Sequence, residues 1–458
     1  MIQISPTLKT LASLAAFTVL AAGCAKRGAP AAASAETPAE LREAVAKLAV
    51  SGDSVAIAKK LHTACADAGA RMACLEAQLV PLASEGKVKL AMGALGEIAD
   101  IDPAIRMDGH VYAHAIGIAA GKTTGDVASA FTQCSESFQS GCYHGVIQAW
   151  FGKLDKIEAT DANGLCAPFR ENEGQRWIRF QCVHGMGHGL TMLYKHDLKQ
   201  GLQGCDLLSD DWDRHACYGG AFMENIVNVT NPHHPASALA HGAHGAADST
   251  KKPDPGTDEH AGHNMGGAEE AKPFKAIDAK DPQYPCSALD EKYHSACYGM
   301  QTSVMLHNNG GNMADAARAC GEAPRKMRAT CYASLGRDIS SYSRQNHAEA
   351  IRMCTVGKEL YQPWCFLGVV KNLIDINARP SEGIAFCKAI TREANKQMCY
   401  SAVGEQILVL QPDIEKRREL CSESELAFRS ACFYGARVNQ ELPDALASVY
   451  KSIENDLR

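Results

Sequence analysis

Five histidines between Asp108 and Asn225 have the type and spacing to hold a metal ion. They occur in His110-Val-Tyr-Ala-His114, Cys142-Tyr-His144-Gly145 and Cys182-Val-His184-Gly-Met-Gly-His188, and a related segment, Cys217-Tyr-Gly-Gly-Ala-Phe-Met-Glu224-Asn225, carries a carboxylate. Aligned on the cysteine, His144 and His184 fall two residues after it; His110 falls two residues after Asp108, which stands where a cysteine is expected. His114 and His188 share a second position four residues further on. Side chains four apart on a helix share one face, about 6 Å apart at Cβ, so each pair can offer two imidazoles to one ion at about 2.1 Å. Equivalent helices of a repeat pack about 8–10 Å apart, which puts His144 within reach of His110 and His114. The economical site is therefore His110, His114 and His144. His184 and His188, with Glu224, form a second site or complete the first, or Glu224 serves as a general base toward metal-bound water. For any one of these histidines a hydrogen bond to a carbonyl is the simpler reading, with Gly185, Gly187 and Gly189 easing helix approach. Five in register, beside later modules with none at those positions, favour a metal or catalytic site.

The elements that must position them are repeated. Nineteen cysteines less Cys24 leave nine short pairs: Cys65/Cys74, Cys134/Cys142, Cys166/Cys182, Cys205/Cys217, Cys286/Cys297, Cys320/Cys331, Cys354/Cys365, Cys387/Cys399 and Cys421/Cys432. The last five second members are spaced by 34, 34, 34 and 33 residues, and the 68 residues from Cys74 to Cys142 leave room for a cysteine-less unit between them. The chain thus reads as ten modules of one kind, and such a period marks a solenoid or array. Segments such as Met313-Ala-Asp-Ala-Ala-Arg-Ala-Cys320 and Lys326-Met-Arg-Ala-Thr-Cys331 are rich in helix formers and poor in β-branched runs. One helix is expected to end on the first cysteine, and a second to carry the other cysteine near its start. Two cysteines eleven apart on a straight helix would be separated by about 16 Å, whereas bridged Cα atoms lie within about 7 Å. Each module must therefore be a helical hairpin stapled across its turn. The expected fold is all-α, an α-solenoid of about ten disulfide-stapled hairpins. Its period and hairpins resemble tetratricopeptide and especially Sel1-like repeats over residues 40 to 450, a resemblance that implies a curved solenoid and no particular chemistry.

The N-terminus points to export. Lys9 precedes the apolar run Leu11 to Ala22, too short for a spanning helix of about 20 residues. Leu20-Ala21-Ala22-Gly23-Cys24 resembles a bacterial lipoprotein box, which implies cleavage before Cys24 and its acylation, and hence a lipid-anchored, cell-envelope location on the periplasmic or outer-surface face. An even cysteine count in an exported chain reads as disulfides. The expected organisation is a signal peptide (1–23), a flexible tether (24–39), N-terminal repeats carrying the histidine cluster (40–228), an insertion (229–284) and C-terminal repeats (285–458). Net charge is −6, or −7 for residues 24–458, which lack Lys9, and there is no basic patch, so nucleic acid is not an expected partner.

Within the insertion, His233, His234, His241, His244, His260 and His263 accompany Met265 in a glycine-, alanine- and proline-rich stretch. This resembles the His/Met segments of periplasmic copper-resistance proteins; His with Met suits copper, and His alone also suits zinc or nickel. A variable polar insertion without a task is the alternative. Trp150, Trp177, Trp212 and Trp364, near the staples, read as packing residues, and the aromatic after most second cysteines reads as module packing. No nucleophile elbow, phosphate loop, dinucleotide fingerprint or Cys-x-x-Cys is present. Three functions remain: a membrane-anchored metal-binding protein with copper or zinc favoured, a metal-dependent hydrolase or oxidoreductase using the cluster with Glu224, and a scaffold binding a protein or peptide on the solenoid surface. If the insertion delivers ions to the fixed site, deleting residues 231 to 272 slows metal loading; unchanged metal content and loading rate would remove that role.

Overall fold

The computed structural model describes residues 37–67, 70–170, 175–230 and 274–457. Cys24 and the insertion's histidines lie outside them, as does all of the tether but its last three residues. Thr37 already caps the helix Pro38–Ser51, so the folded body starts just inside the expected tether. The described residues are helical with no strand, and consecutive helices pack on one another as an α-solenoid.

The general plan of a module is an outer helix ending at or near its first cysteine and an inner helix carrying the second. The inner helices used below are α1 (Arg71–Ser84), α2 (Pro103–Thr123), α3 (Gly141–Phe151), α4 (Arg176–Leu193), α5 (Asp211–Thr230), α6 (Arg328–Tyr342), α7 (Gln362–Asn377), α8 (Glu393–Leu410) and α9 (Arg429–Gly435). All nine expected cysteine pairs are bridged, with Cα atoms 5.4 to 5.8 Å apart. Several outer helices start at a side-chain cap. Asp126, Asp197, Asn312, Asn346 and Asp413 each accept a hydrogen bond from backbone N–H groups two or three residues on, which satisfies donors a helix start leaves open. Before several of these caps the chain turns through left-handed residues, at Lys195-His196, Gly310-Gly311 and Arg344-Gln345. The cysteine-less module is present as the helix Val88–Ile101 followed by α2.

The module of Cys297 departs from the expected plan. Cys297 is bridged to Cys286, but it lies near the end of a short helix, Glu291–Tyr298, and not near the start of a long inner one. Cys286 sits in a single 3-10 turn, Cys286–Ala288, instead of closing an outer helix. After Cys297 the helix breaks at Gly299 and Met300 and resumes as Gln301–Asn308. Side chains take up what the break frees. The Gly299 carbonyl accepts from Arg337 at 3.1 Å, and the Gln301 amide donates back to the Pro282 and Tyr284 carbonyls at 2.8 and 2.7 Å. These bonds satisfy backbone groups that an unbroken hairpin would have paired internally.

In four pairs the inner helices meet backbone to backbone. A Cβ on Gly117 would collide with the carbonyl of Cys142, and one on Gly145 with that of His114. The same reciprocal contact joins Gly187 to Cys217 and Gly220 to His184, Gly336 to Cys365 and Gly368 to Ala333, and Gly404 to Cys432 and Gly435 to Ser401. Gly117 meets Cys142 and Gly121 meets Val146, so the paired helices run parallel. Glycine is required here because any side chain would hold the axes apart, closer approach than the usual 8–10 Å being otherwise sterically barred.

The superhelix turns tightly enough to touch itself. Phe138, Gln139 and Ser140, all at positive φ, form a strap between the Cys134 turn and α3. Phe138 N–H donates to the Ile376 carbonyl at 3.0 Å, Gln139 N–H to that of Asp375 at 3.1 Å, and the Gln139 amide to Asn372 Oδ1 at 2.6 Å. Arg379 adds an ion pair with Asp100 at 2.9 Å. Across the insertion, Tyr218 and Tyr293 both donate to Asp206, which also pairs with Lys292, and Asn225 reaches the Ala276 carbonyl. The repeats before and after the insertion therefore form one body. Gly220→Ala should lower the melting temperature, the overlap with His184 outweighing the gain in helix propensity by about 1–3 kcal/mol. Gly164→Ala, whose Cβ meets nothing within 4 Å, should raise it slightly. Equal melting temperatures in a denaturation scan would refute the role of the backbone contact.

Candidate metal centre

The backbone contacts also set the repeat register. In α4, α6 and α8 the glycine that meets the next helix lies five residues after the cysteine (Cys182/Gly187, Cys331/Gly336, Cys399/Gly404). In α2 that glycine is Gly117, so the cysteine position belongs to Tyr112, not to Asp108. Burial agrees: Tyr112 is buried like the cysteines, whereas Asp108 is exposed. The alignment expected from the sequence is one helical turn out. His114, not His110, shares the column of His144 and His184; His110 sits one turn before that column and His188 one turn after it.

This shift changes which imidazoles meet. Among the described residues, the set whose ligand atoms all lie within 4.8 Å of one another is His144, His184 and His188, not the expected His110, His114 and His144. Ring centroids are 5.2 Å apart for His144 and His184, 4.9 Å for His144 and His188, and 5.2 Å for His184 and His188. α3 and α4 place them, Gly185 lying against Ile147 and Gly189 against Phe151. His110 continues the row, its ring 5.6 Å from His144 and 5.9 Å from His114. All five therefore adjoin one another, but three converge. The bridged cysteines, Cys297 among them, carry no thiolate and serve the scaffold alone.

Each converging ring is held on one side. His144 Nε2–H donates to Gln181 Oε1 at 3.1 Å, His188 Nδ1–H donates to Glu224 Oε2 at 2.9 Å, and His184 hydrogen-bonds the backbone of Ala216. The other nitrogen of each ring, Nδ1 of His144, Nδ1 of His184 and Nε2 of His188, is buried without a hydrogen-bond partner. An orphaned buried acceptor typically costs about 1–3 kcal/mol, and three lie together. A ring anchored at one nitrogen and open at the other is the arrangement of a metal-ligating histidine. Nitrogens sharing a tetrahedral ion at about 2.1 Å lie about 3.4 Å apart, so small side-chain rotations would close the set.

Glu224 stands behind His188 as its anchor, and its second oxygen is 3.8 Å from His196 Nδ1. That position lets Glu224 orient the His188 ring through one oxygen. His110 is likewise oriented, its Nδ1–H donating to the Phe138 carbonyl of the strap at 2.9 Å. Sequence reasoning misses Gln181 and His196. Gln181 directly precedes Cys182, and nothing in its type or spacing announces an anchor, whereas His196 has no partner in the columns to draw attention to it.

Beside the triad lies a cavity of about 370 Å³, lined on one side by His144, His184, Trp177 and Phe180 and on the other by residues of α6, α7 and the end of α8. Gly299, Ala333 and Leu367, each two residues after its cysteine (Cys297, Cys331 and Cys365), are the counterparts of His144 and His184 in the later modules, and they face it too. The column that carries histidines in α3 and α4 thus continues along the cavity wall in the modules of Cys297, Cys331 and Cys365. Trp177 stacks on Phe180 at 5.6 Å and Phe180 on His184 at 5.4 Å. Trp177 is therefore part of the cavity wall as well as packing. Asp375 keeps some accessibility through the cavity although protein surrounds it, and desolvation, opposed by Lys371 and Gln406, pushes its carboxyl up to about 7.

Burial, reinforced by the four other histidines, holds His144 well below the ordinary imidazole value; burial and then His188 hold His184 down to about 3. The unfolded chain, with imidazoles near 6.5, then binds more protons than the folded one below that value. Stability of metal-free protein should fall as pH drops from about 6.5 toward 3, by up to about 1.4 kcal/mol per pH unit per group. His184→Gln should flatten that slope in chemical denaturation at pH 7, 5.5 and 4; an unchanged slope would contradict the neutral, desolvated ring. No protein-family model, curated protein or solved structure matches this chain.

Proposed function

We propose that this protein is a membrane-anchored, exported helical-repeat lipoprotein that binds a transition metal, copper or zinc, through His144, His184 and His188. The observation that carries this reading is the meeting of three buried imidazoles, each anchored at one nitrogen and unpartnered at the other. Imidazole donors suit copper and zinc alike. Glu224 and Gln181 would raise ligand basicity and hold the rings in the binding tautomer. The lipoprotein box at Cys24 supplies the membrane attachment, and the 34-residue hairpins are read as a Sel1-like or tetratricopeptide type of solenoid.

A second reading, a metal-dependent enzyme, is favoured by the cavity against His144 and His184: three protein ligands leave a coordination position for water or substrate. A peptide-binding scaffold draws less support, since the described interior holds a cavity of small-molecule size.

Metal analysis of the purified mature chain should give one bound ion per molecule. His184→Ala and His188→Ala should abolish it, Glu224→Gln should weaken affinity by about 10- to 100-fold, and His110→Ala should retain the ion. A chain that binds no copper, zinc or cobalt, or one whose affinity is indifferent to His184 and His188, would overturn the reading.

A further inference from the structure

The cavity beside the triad has walls that restrict what it can hold. Its cationic groups are already engaged: Arg337 bonds Asp338 at 2.8 Å and Ser303 at 2.6 Å, and Lys371 pairs with Glu405. The Asn372 amide is engaged with Gln139, and the Gln181 carbonyl with His144. Two carboxylates, Glu136 and Asp375, remain at the wall, so an anion would find no free positive partner and two groups disfavouring it. Much of the rest is apolar or aromatic, including Trp177, Phe180, Met223, Leu367, Ile374 and Leu410. The Trp177 Nε1–H is buried without a hydrogen-bond partner. The volume of about 370 Å³ is a little over twice the roughly 150 Å³ of an engineered cavity that holds benzene.

We propose that this cavity is a binding chamber for a neutral, largely apolar molecule of about two fused rings bearing a hydrogen-bonding group, held against the metal face of His144 and His184. The Trp177 and Phe180 rings at the wall supply aromatic contact, which suits a planar occupant. Asp375, which keeps some accessibility at the wall, offers a partner for a hydroxyl. His144 and His184 themselves line the chamber, so an occupant would lie beside the rings that would hold the ion. The inference deepens the metal-centre reading and rests on it for that last step alone.

The probe is 2-naphthol, titrated by equilibrium dialysis into the mature chain, metal-free and loaded with cobalt(II). One saturable site of about 10–100 µM is expected in both forms, with 2-naphthalenesulfonate weaker by about tenfold or more because of its charge. Leu410→Trp, which fills the chamber, should weaken 2-naphthol by about tenfold or more while leaving cobalt stoichiometry intact. In the loaded protein 2-naphthol should perturb the visible cobalt absorption. Absent or non-saturable binding, equal binding of the sulfonate, or indifference to Leu410→Trp would overturn the chamber. Binding with an unaltered cobalt spectrum would overturn its link to the metal. Failure to hold cobalt would refute the metal centre instead, and the metal-free titration would still decide the chamber.

Discussion

Where two inner helices meet, glycine leaves one backbone resting directly on the other, as at Gly187 on Cys217 and Gly220 on His184. The rest of the molecule follows from that contact. It draws parallel helices together, fixes their relative slide to within a residue, and recurs in four helix pairs along the chain. The disulfides staple each hairpin internally, but they do not specify how one hairpin sits on the next. In those four pairs the glycine contacts do, whereas α3 meets α4 through Gly185 on Ile147 and Gly189 on Phe151, and the superhelix closes tightly enough for the strap at Phe138 to Ser140 to bond the end of α7.

That tightness explains how histidines spread over three modules come to adjoin one another. In a looser stack, rings two modules apart would be roughly 20 Å from each other. Here His144 bridges the gap, with His110 at 5.6 Å on one side and His184 at 5.2 Å on the other. Burial then keeps His144 and His184 neutral, the form that donates a lone pair to a metal. Gln181, on the same helix as His184 and His188, anchors His144, and Glu224 on the next helix anchors His188, while one nitrogen of each of the three rings stays without a partner. The arrangement destabilises the empty site, and ion binding would relieve that cost.

One column serves two purposes along the superhelix. It bears histidine in α2, α3 and α4, and small or apolar residues at Gly299, Ala333 and Leu367, which line the cavity opposite. The break in the helix after Cys297 belongs to this wall, since the Gly299 carbonyl it frees is what holds Arg337 at the cavity edge. The scaffold therefore brings a polar, ligand-bearing wall face to face with an apolar one. Neither half forms the cavity alone, so closure of the superhelix is a condition for the site and not merely for stability.

The sequence by itself determined the all-helical hairpin architecture, the pairing of eighteen cysteines and the five histidines worth attention. These are local matters: composition, a 34-residue period and the reach of a disulfide across one turn are written in adjacent residues. The register of α2 is misread from sequence because a column inferred from cysteine spacing has no cysteine there to anchor it, and a one-turn slip keeps an i, i+4 pair looking like its neighbour. Only the contact of Gly117 with Cys142 resolves it. The module of Cys297 keeps its cysteine spacing while losing its long inner helix, because the bridge constrains two points of the hairpin and leaves the rest to tertiary bonds. Tertiary structure alone decided that His144, His184 and His188 converge, that Gln181 anchors one of them, that Glu224 stands behind His188, and that a cavity adjoins them. Those relations join residues up to 233 positions apart through the self-contact of the superhelix, and no spacing along the chain encodes how tightly a solenoid winds.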